Sequence, residues 1–538
     1  MKNLPIGIQT FRTIIEGGYV YADKTGYIAD LARQGKYFFL SRPRRFGKSL
    51  FIDTVKQAFS GEGDLFSGLA LAGTDFDFTP RPVIRLDLSS IALADSDELR
   101  SGLMGLLRDT AESFQVEVEG ATPAEYFRRL IHTLHQTSGH RVVVLIDEYD
   151  KPIIDHMDDR ALAESNRKEL RYFYGVLKAM DAHLRFVLLT GVAKFTRTSV
   201  FSQLNNLIDI SMNPAFANIC GFTEQEFDAL FPEHLAAYAQ ARRDLGIDDE
   251  SLPAIRDQVF TWYDGYSWDG VTRVFNPFSL LSFFLKREFY PFWFTSGIPQ
   301  FLVHHVRDNP GAYAALEGAQ ITEVTLDSYD IERAPLESLL FQTGFLTVRS
   351  ANRREAPVVY TIGFPNLEVS QSFSGWFLDT LSGDLAGMEQ TQRRRLAQAF
   401  NDGRPEDLED CLTGLFAAIP YNLHMKAEAF YHAVFLSVVR VLGLRVTGEA
   451  AVAGGEADAT ITTSTGFAYV IEMKYVPAGD DADREHRLEQ AAAAALRQIA
   501  ARGYADQFRG TACRLHHVGV AVADRGQVHV DWTVAENR

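Results

Sequence analysis

Short apolar runs at Tyr37–Leu40, Val142–Ile146 and, broken only by Arg185, Leu184–Leu189 punctuate the first part of this chain, and each ends in polar or charged residues. Runs of that length, rich in aromatic or branched residues, are how strands buried on both faces of a parallel sheet read. Pro82–Asp87 alternates as a further strand. Between them apolar residues recur at helical spacing over Leu50–Phe59, which stops at Ser60-Gly61, over Asp97–Phe114 and over Pro123–Gln136. Strand and helix alternate from Tyr37 to Thr190, so a doubly wound α/β core is expected there.

Residues 222–380 predict a mainly helical region with a late hairpin, 344–348 against 358–362 across a polar turn at 352–355. A polar stretch with glycine at 382–395 marks the boundary to a last α/β domain. There Lys426–Leu442 has helical spacing, and Arg445–Glu449, Gly454–Ile461, Ala468–Lys474 and His516–Val522 read as strands. Leu488–Arg502, with the alanine run Ala491–Ala495, reads as a helix. The expected division is 1–230, 231–381 and 382–538.

Two stretches of the first domain carry chemistry. Arg42-Pro43-Arg44-Arg45-Phe46-Gly47-Lys48-Ser49 lies between a strand and a helix and ends in Gly-Lys-Ser, as a phosphate-cradling loop does. Its backbone N–H groups would wrap the phosphates of ATP, Lys48 would reach the β/γ oxygens, and Ser49 would ligate Mg²⁺. Arg42 stands where the usual pattern has its first glycine. About a hundred residues later the second buried strand ends in Asp147-Glu148, at the edge where open α/β sheets bind ligands. Asp147 would complete the Mg²⁺ shell and Glu148 would polarise the attacking water. Thr190, at the end of the next strand, would sense the γ-phosphate, and Lys194 or Arg197 would stabilise charge in the transition state.

The last domain offers a second constellation. Residues two apart on a strand share a face, so Glu472 and Lys474 project together, and Asp458 from a neighbouring strand can meet them. With Glu428 from the helix, these carboxylates would hold one or two Mg²⁺ (or Mn²⁺), while Lys474 orients or helps deprotonate a water that attacks a phosphodiester.

Composition narrows the partners. The 538 residues are 46% apolar and 23% charged, ordinary for a globular protein, and too many for a single core. A net charge of −17 argues against coating nucleic acid with the whole surface, though not against a local basic cleft. Three widely spaced cysteines form neither a metal pattern nor a disulfide framework. The most apolar stretch, Val274–Phe294, is broken by Asn276, Pro277, Lys286, Arg287 and Glu288, so no membrane span is expected. Met1–Phe11 lacks a leader pattern, and a cytoplasmic location is expected.

The phosphate loop, the Leu145–Asp150 strand end, Thr190–Phe195, Phe201–Leu207 and Gly221-Phe222-Thr223 together resemble the bacterial AAA-ATPase-like proteins that carry a C-terminal PD-(D/E)XK nuclease-like domain. Trp262–Tyr266 and Phe275–Ser279 resemble the middle-region motifs of that family. The resemblance makes Arg42 usual at its position and implies a P-loop NTPase core of AAA-like type, a lid or winged-helix-like middle region, and a PD-(D/E)XK site built from Glu428, Asp458, Glu472 and Lys474 with Gln498 beside it. The implied activity is ATP hydrolysis coupled to Mg²⁺-dependent cleavage of DNA or RNA, in genome defence or mobile-element biology. Glu456 departs from the family pattern, which often has arginine there, and an acid at that place weakens the case for phosphate-backbone binding. A nucleotide-dependent switch that docks a protein partner through a non-cleaving C-terminal domain is the alternative. Self-assembly, with Arg197 serving a neighbouring subunit, stays open.

Overall fold

A computed structural model describes the chain except for residues 92–94, 158, 195–203, 205, 247–249, 295–315, 328–334, 383–389, 418, 420–427, 453–454, 464, 478–482, 505–507, 509–512 and 536–538. Two compact units make it up. Met1–Thr295 and Ile321–Tyr360 form the first, Ser296–Gln320 and Thr361–Arg538 the second. Residues 231–294, expected as part of a separate middle region, lie in the first unit.

The first unit is built on a five-stranded parallel sheet. Its strands are β1 (Tyr37–Ser41), β2 (Val83–Asp87), β3 (Val142–Asp147), β4 (Leu184–Gly191) and the two-residue β5 (Ile208–Asp209), in the order β2-β3-β4-β1-β5. Every neighbouring pair is parallel, as helical crossovers require. All six residues of β3 are buried, which is why its sequence carries no alternation. Helices Lys48–Phe59, Ser96–Ser113, Pro123–Ser138 and Arg160–Ala179 connect the strands. Because all strands run the same way, the loop after β1, the acids ending β3 and the end of β4 come out on one edge. β4 lies between β1 and β3 and separates the loop from the acids by one strand.

The rest of this unit is mainly helical, with Glu224–Leu230, Pro232–Asp244, Leu252–Tyr263 and Pro277–Lys286. They enclose a phenylalanine-rich core that includes Phe227, Phe231, Phe275, Phe283 and Phe284. Strand Thr347–Asn352 leads into the polar turn as the alternation predicts.

The second unit holds a five-stranded mixed sheet. Its order is Val528–Ala535, Arg514–Ala523, Phe467–Val476, Gly455–Thr462, Arg445–Val452. Only the Phe467–Val476 and Arg514–Ala523 pair is parallel, and the chain crosses between them through helix Arg484–Arg502. This helix sits very close to the sheet: a Cβ on Gly519 would lie 2.3 Å from the Ala492 carbonyl. The alanine run and Gly519 together permit that approach. Among the described residues no helix is long and apolar enough to cross a membrane, and the three cysteines are free thiols.

Candidate functional site

After β1 the backbone turns sharply, and Arg45 and Gly47 take left-handed conformations (φ 67° and 95°). Arg42 does not, so the first position of this loop has no need of glycine. Its side chain points away from the loop into the core. Nη1 donates to the carbonyls of Ser41 and Ser211 (2.8 Å each), Nη2 to those of Phe216 (3.1 Å) and Ala217 (3.4 Å). The guanidinium also stacks on Trp268, 3.9 Å from the ring centroid. Burial lowers its pKa to about 10, still far above neutrality. Arg42 therefore anchors the loop, and its side chain does not line it.

Arg42→Ala removes this charged fork and leaves four carbonyls short of a donor. It is expected to destabilise the first unit by about 3 kcal/mol or more, read as a lower midpoint in chemical denaturation. Arg42→Gly, which restores the common loop pattern, should be no better.

Aromatic residues from the middle of the chain hold the loop from the other side. Phe46 meets Tyr266 and Trp268 edge-on at 4.7 and 5.4 Å. Arg45 stacks over Phe278 at 3.9 Å, and Trp293 donates its indole N–H to the Arg44 carbonyl at 3.2 Å. Tyr266, Trp268 and Trp293 are themselves buried core residues, and they also brace the phosphate loop. Asp264 in the same motif is pushed up to about 6 by burial, and its Oδ1 has no partner among the described residues. Raised from 3.8, this group contributes its stability fully below about pH 4 and loses it as pH rises through 6. Asp264→Asn should therefore be more stable than the natural chain at pH 8 by on the order of 2 kcal/mol and indistinguishable near pH 4, as unfolding curves at the two values would show.

Lys48 opens helix Lys48–Phe59, and Ser49 follows in the same first turn, half-buried. That turn leaves its backbone N–H groups without helical partners, a natural anion site. Lys48 is only 3% exposed. Its Nζ donates to the carbonyls of Arg42 (3.0 Å) and Pro43 (3.2 Å) and lies 3.7 Å from Glu148 Oε1. Pro43 is buried and Arg44 is exposed, 3.6 Å from Asp155.

Across the same edge Asp147 is fully buried. Its Oδ1 accepts from the Thr190 hydroxyl (2.6 Å) and the Glu148 N–H (3.1 Å). Oδ2 has no partner among the described residues. A buried carboxylate oxygen left open, next in sequence to the glutamate that Lys48 approaches, suits an Mg²⁺–triphosphate, whose metal would be held by Asp147 and Ser49. Glu148 is left-handed at φ 52°, a costly backbone for a residue with a Cβ. Lys194 pairs with Asp209 Oδ2 (2.5 Å) at the end of β5. Arg197 lies outside the described residues.

In the second unit the antiparallel register pairs Ala459 with Ile471. One step further it sets Asp458 opposite Glu472, on a shared face. Asp458 Oδ2 accepts the Met473 N–H at 2.6 Å, and burial pushes its carboxyl up to about 6. Glu472 is buried, and burial together with Asp458 raises its pKa against the pull of Lys474. Lys474 Nζ lies 3.0 Å from Glu472 Oε1 and 3.8 Å from Glu428 Oε1. Burial lowers the Lys474 pKa, but the carboxylates around it outweigh burial, so the amine stays a cation.

Gln498 donates to Glu472 Oε1, beside the site as expected. Glu428, at the start of helix Glu428–Val441, accepts the Tyr475 N–H at 3.0 Å. Glu456 stands two positions before Asp458 on the same strand.

One neighbour escaped sequence reasoning. His432 is bonded to the Asp458 carbonyl at 2.6 Å and kept neutral by burial, at about 4. A carbonyl can only accept, so Nε2 carries the proton and holds the strand that bears Asp458. A histidine inside an apolar helical run gave no signal of this. Among the described residues no three acid, imidazole or thiol groups are gathered at metal-ligand spacing, and Asp458 and Glu428 each accept a backbone N–H. Glu472 Oε2 is nonetheless buried without a partner among the described residues. The all-oxygen set fits a hard divalent cation.

A family model described as predicted AAA-ATPase matches residues 5–201, and one for the PD-(D/E)XK nuclease superfamily matches residues 426–532. The chain is 38% identical over 530 residues to a protein named only as uncharacterised, from the vnfD 5′ region of Azotobacter chroococcum mcd 1, with 96% of each chain covered. With both models matching in order and a relative alike over nearly its whole length, the chain belongs to the family of predicted AAA-ATPases that carry a PD-(D/E)XK nuclease superfamily domain at the C-terminal end.

Proposed function

We propose that the first unit binds and hydrolyses ATP with Mg²⁺ and that the second cleaves phosphodiesters of DNA or RNA with Mg²⁺ or Mn²⁺, the one activity controlling the other. The observation that carries it is the convergence of Lys48, Glu148 and the Asp147–Thr190 pair on one sheet edge, with a separate acidic face at Asp458 and Glu472. In this scheme Lys48 exchanges its two loop carbonyls for phosphate oxygens, which frees it from the loop only when nucleotide is present. Glu148 orients the attacking water, and Thr190 holds Asp147 in place. Mg²⁺, when bound, supplies charge that draws electron density from the transferred phosphoryl group.

At the second site Glu428, Asp458 and Glu472 offer the metal ligands, and Lys474 offers a cation to the phosphate under attack. A second reading has one observation in its favour. Glu456 places a further acid on the strand of Asp458, where a phosphate backbone is repelled. On that reading the unit docks a protein partner under nucleotide control and cuts nothing. The two readings part in a plasmid-nicking assay on the full chain with Mg²⁺ or Mn²⁺, with and without ATP. Metal-dependent nicking supports cleavage, whereas ATP turnover with no nicking under either metal supports the switch.

A further inference from the structure

The acid turn does not end at Glu148. Tyr149 and Asp150 follow, both completely buried, and they bind the end of the neighbouring strand. The ladder between β3 and β4 stops at Ile146 and Leu189. Beyond it Asp150 Oδ2 accepts the N–H groups of Val192 (2.9 Å) and Ala193 (2.6 Å). Tyr149 donates its N–H to the Thr190 carbonyl (3.0 Å) and its hydroxyl to the Ala193 carbonyl (2.8 Å). Tyr174 in turn donates to the Tyr149 carbonyl at 3.1 Å. The approach is close enough to demand glycine: a Cβ on Gly191 would lie 2.5 Å from both Asp150 Oδ1 and the Tyr149 ring.

A carboxylate is an expensive acceptor to bury. Burial, with Glu148 alongside, holds the Asp150 carboxyl above the ordinary range, and its Oδ1 finds no partner among the described residues. A backbone carbonyl or an asparagine would serve two N–H groups at lower cost. What the arrangement secures is position. Glu148, in its left-handed conformation, is fixed from both sides, by Asp147 on Thr190 and by Tyr149 and Asp150 on residues 190–193. Strained backbone of this kind persists only where its surroundings over-determine it.

The geometry points to Asp150 as a positioning residue for ATP hydrolysis, clamping the acid turn onto residues 190–193 so that Glu148 and Thr190 hold their places across the sheet edge. It rests on the ATPase role proposed above. The clamp lies behind the phosphate loop's partners, so its loss should act on turnover and leave nucleotide binding alone.

Asp150→Ala is expected to lower kcat on the order of 10- to 100-fold, the scale of a misplaced catalytic group. KM for ATP and the affinity for a fluorescent ATP analogue should stay within about 3-fold, since no phosphate contact is lost. Asp150→Asn, which keeps one acceptor oxygen, should recover most of kcat. Gly191→Ala, which wedges the clamp from the opposite side, should lose kcat in the same way and serves where Asp150→Ala does not fold. Hydrogen exchange of the nucleotide-free protein should quicken at residues 190–193 in Asp150→Ala and stay unchanged in the phosphate loop. Unchanged exchange there overturns the clamp, whatever the turnover. A kcat equal to that of the natural chain, or nucleotide affinity falling in step with kcat, overturns the positioning role. Absence of turnover in the unmutated chain overturns the ATPase role itself.

Discussion

Lys48→Ala is expected to cost ATP affinity on the order of 100-fold or more, and Glu148→Gln to keep affinity while lowering turnover roughly 10²- to 10⁴-fold. The first figure follows from where Lys48 sits. Its ammonium is buried and held on the Arg42 and Pro43 carbonyls, with Glu148 3.7 Å away. Neutral carbonyls are weak partners for a buried cation, and phosphate oxygens would replace them with charge-assisted bonds worth about 1.5–3 kcal/mol each. Two such bonds are enough for the predicted loss.

Glu148 behaves differently because it reaches the site from the opposite strand. Its carboxylate repels phosphate, so the amide in Glu148→Gln should bind ATP as well or slightly better. Calorimetric titration with ATP and Mg²⁺ separates the variants, and phosphate release measures turnover. Wild-type affinity in Lys48→Ala would place the nucleotide elsewhere, and full turnover in Glu148→Gln would move the water-orienting role to another residue.

Strands β1, β3 and β4 were legible because a parallel sheet covered on both faces forces nearly continuous apolar runs, and each run ends where water and ligand begin. That alone set the phosphate loop, Asp147 and Thr190 on one edge. The direction of Arg42 was not legible. Its side chain is decided by carbonyls at 211, 216 and 217 and by Trp268, more than 160 residues away, and no local pattern encodes such a partner.

The same distance hid the bracing of Phe46 by Tyr266 and Trp268. The pairing of Lys194 with Asp209 was not legible because β5, the strand that carries Asp209, is two residues long and leaves no periodicity. In the second unit the facing of Asp458 and Glu472 was legible for the opposite reason: the two strands join through a short turn, so sequence separation fixes register. His432 contributes through a ring nitrogen on a backbone carbonyl, a contact that depends on how the helix is docked.

Asp458→Ala and Lys474→Ala should both abolish metal-dependent nicking, by roughly 10²- to 10⁴-fold, yet for different reasons that a metal titration exposes. Asp458 faces Glu472 across the strand pair, and its removal takes a hard oxygen ligand from the set. Lost activity in this variant should be partly recovered by raising Mn²⁺, and Mn²⁺ affinity measured calorimetrically should fall. Lys474 is a cation lodged among Glu472 and Glu428, and it neutralises the charge a metal would use. Its removal should leave Mn²⁺ affinity unchanged or tighter while cleavage disappears, because the phosphate under attack loses its positive neighbour.

Held protonated by those carboxylates, Lys474 is proposed to serve the phosphate as a charge and not as a base. Lys474→Arg should therefore retain more activity than Lys474→Ala, which a base would not allow, since a guanidinium does not give up its proton near neutrality. Nicking that survives in both alanine variants would locate the cutting outside this face. Loss of Mn²⁺ affinity in Lys474→Ala would show that the lysine shapes the acidic set rather than serving the phosphate.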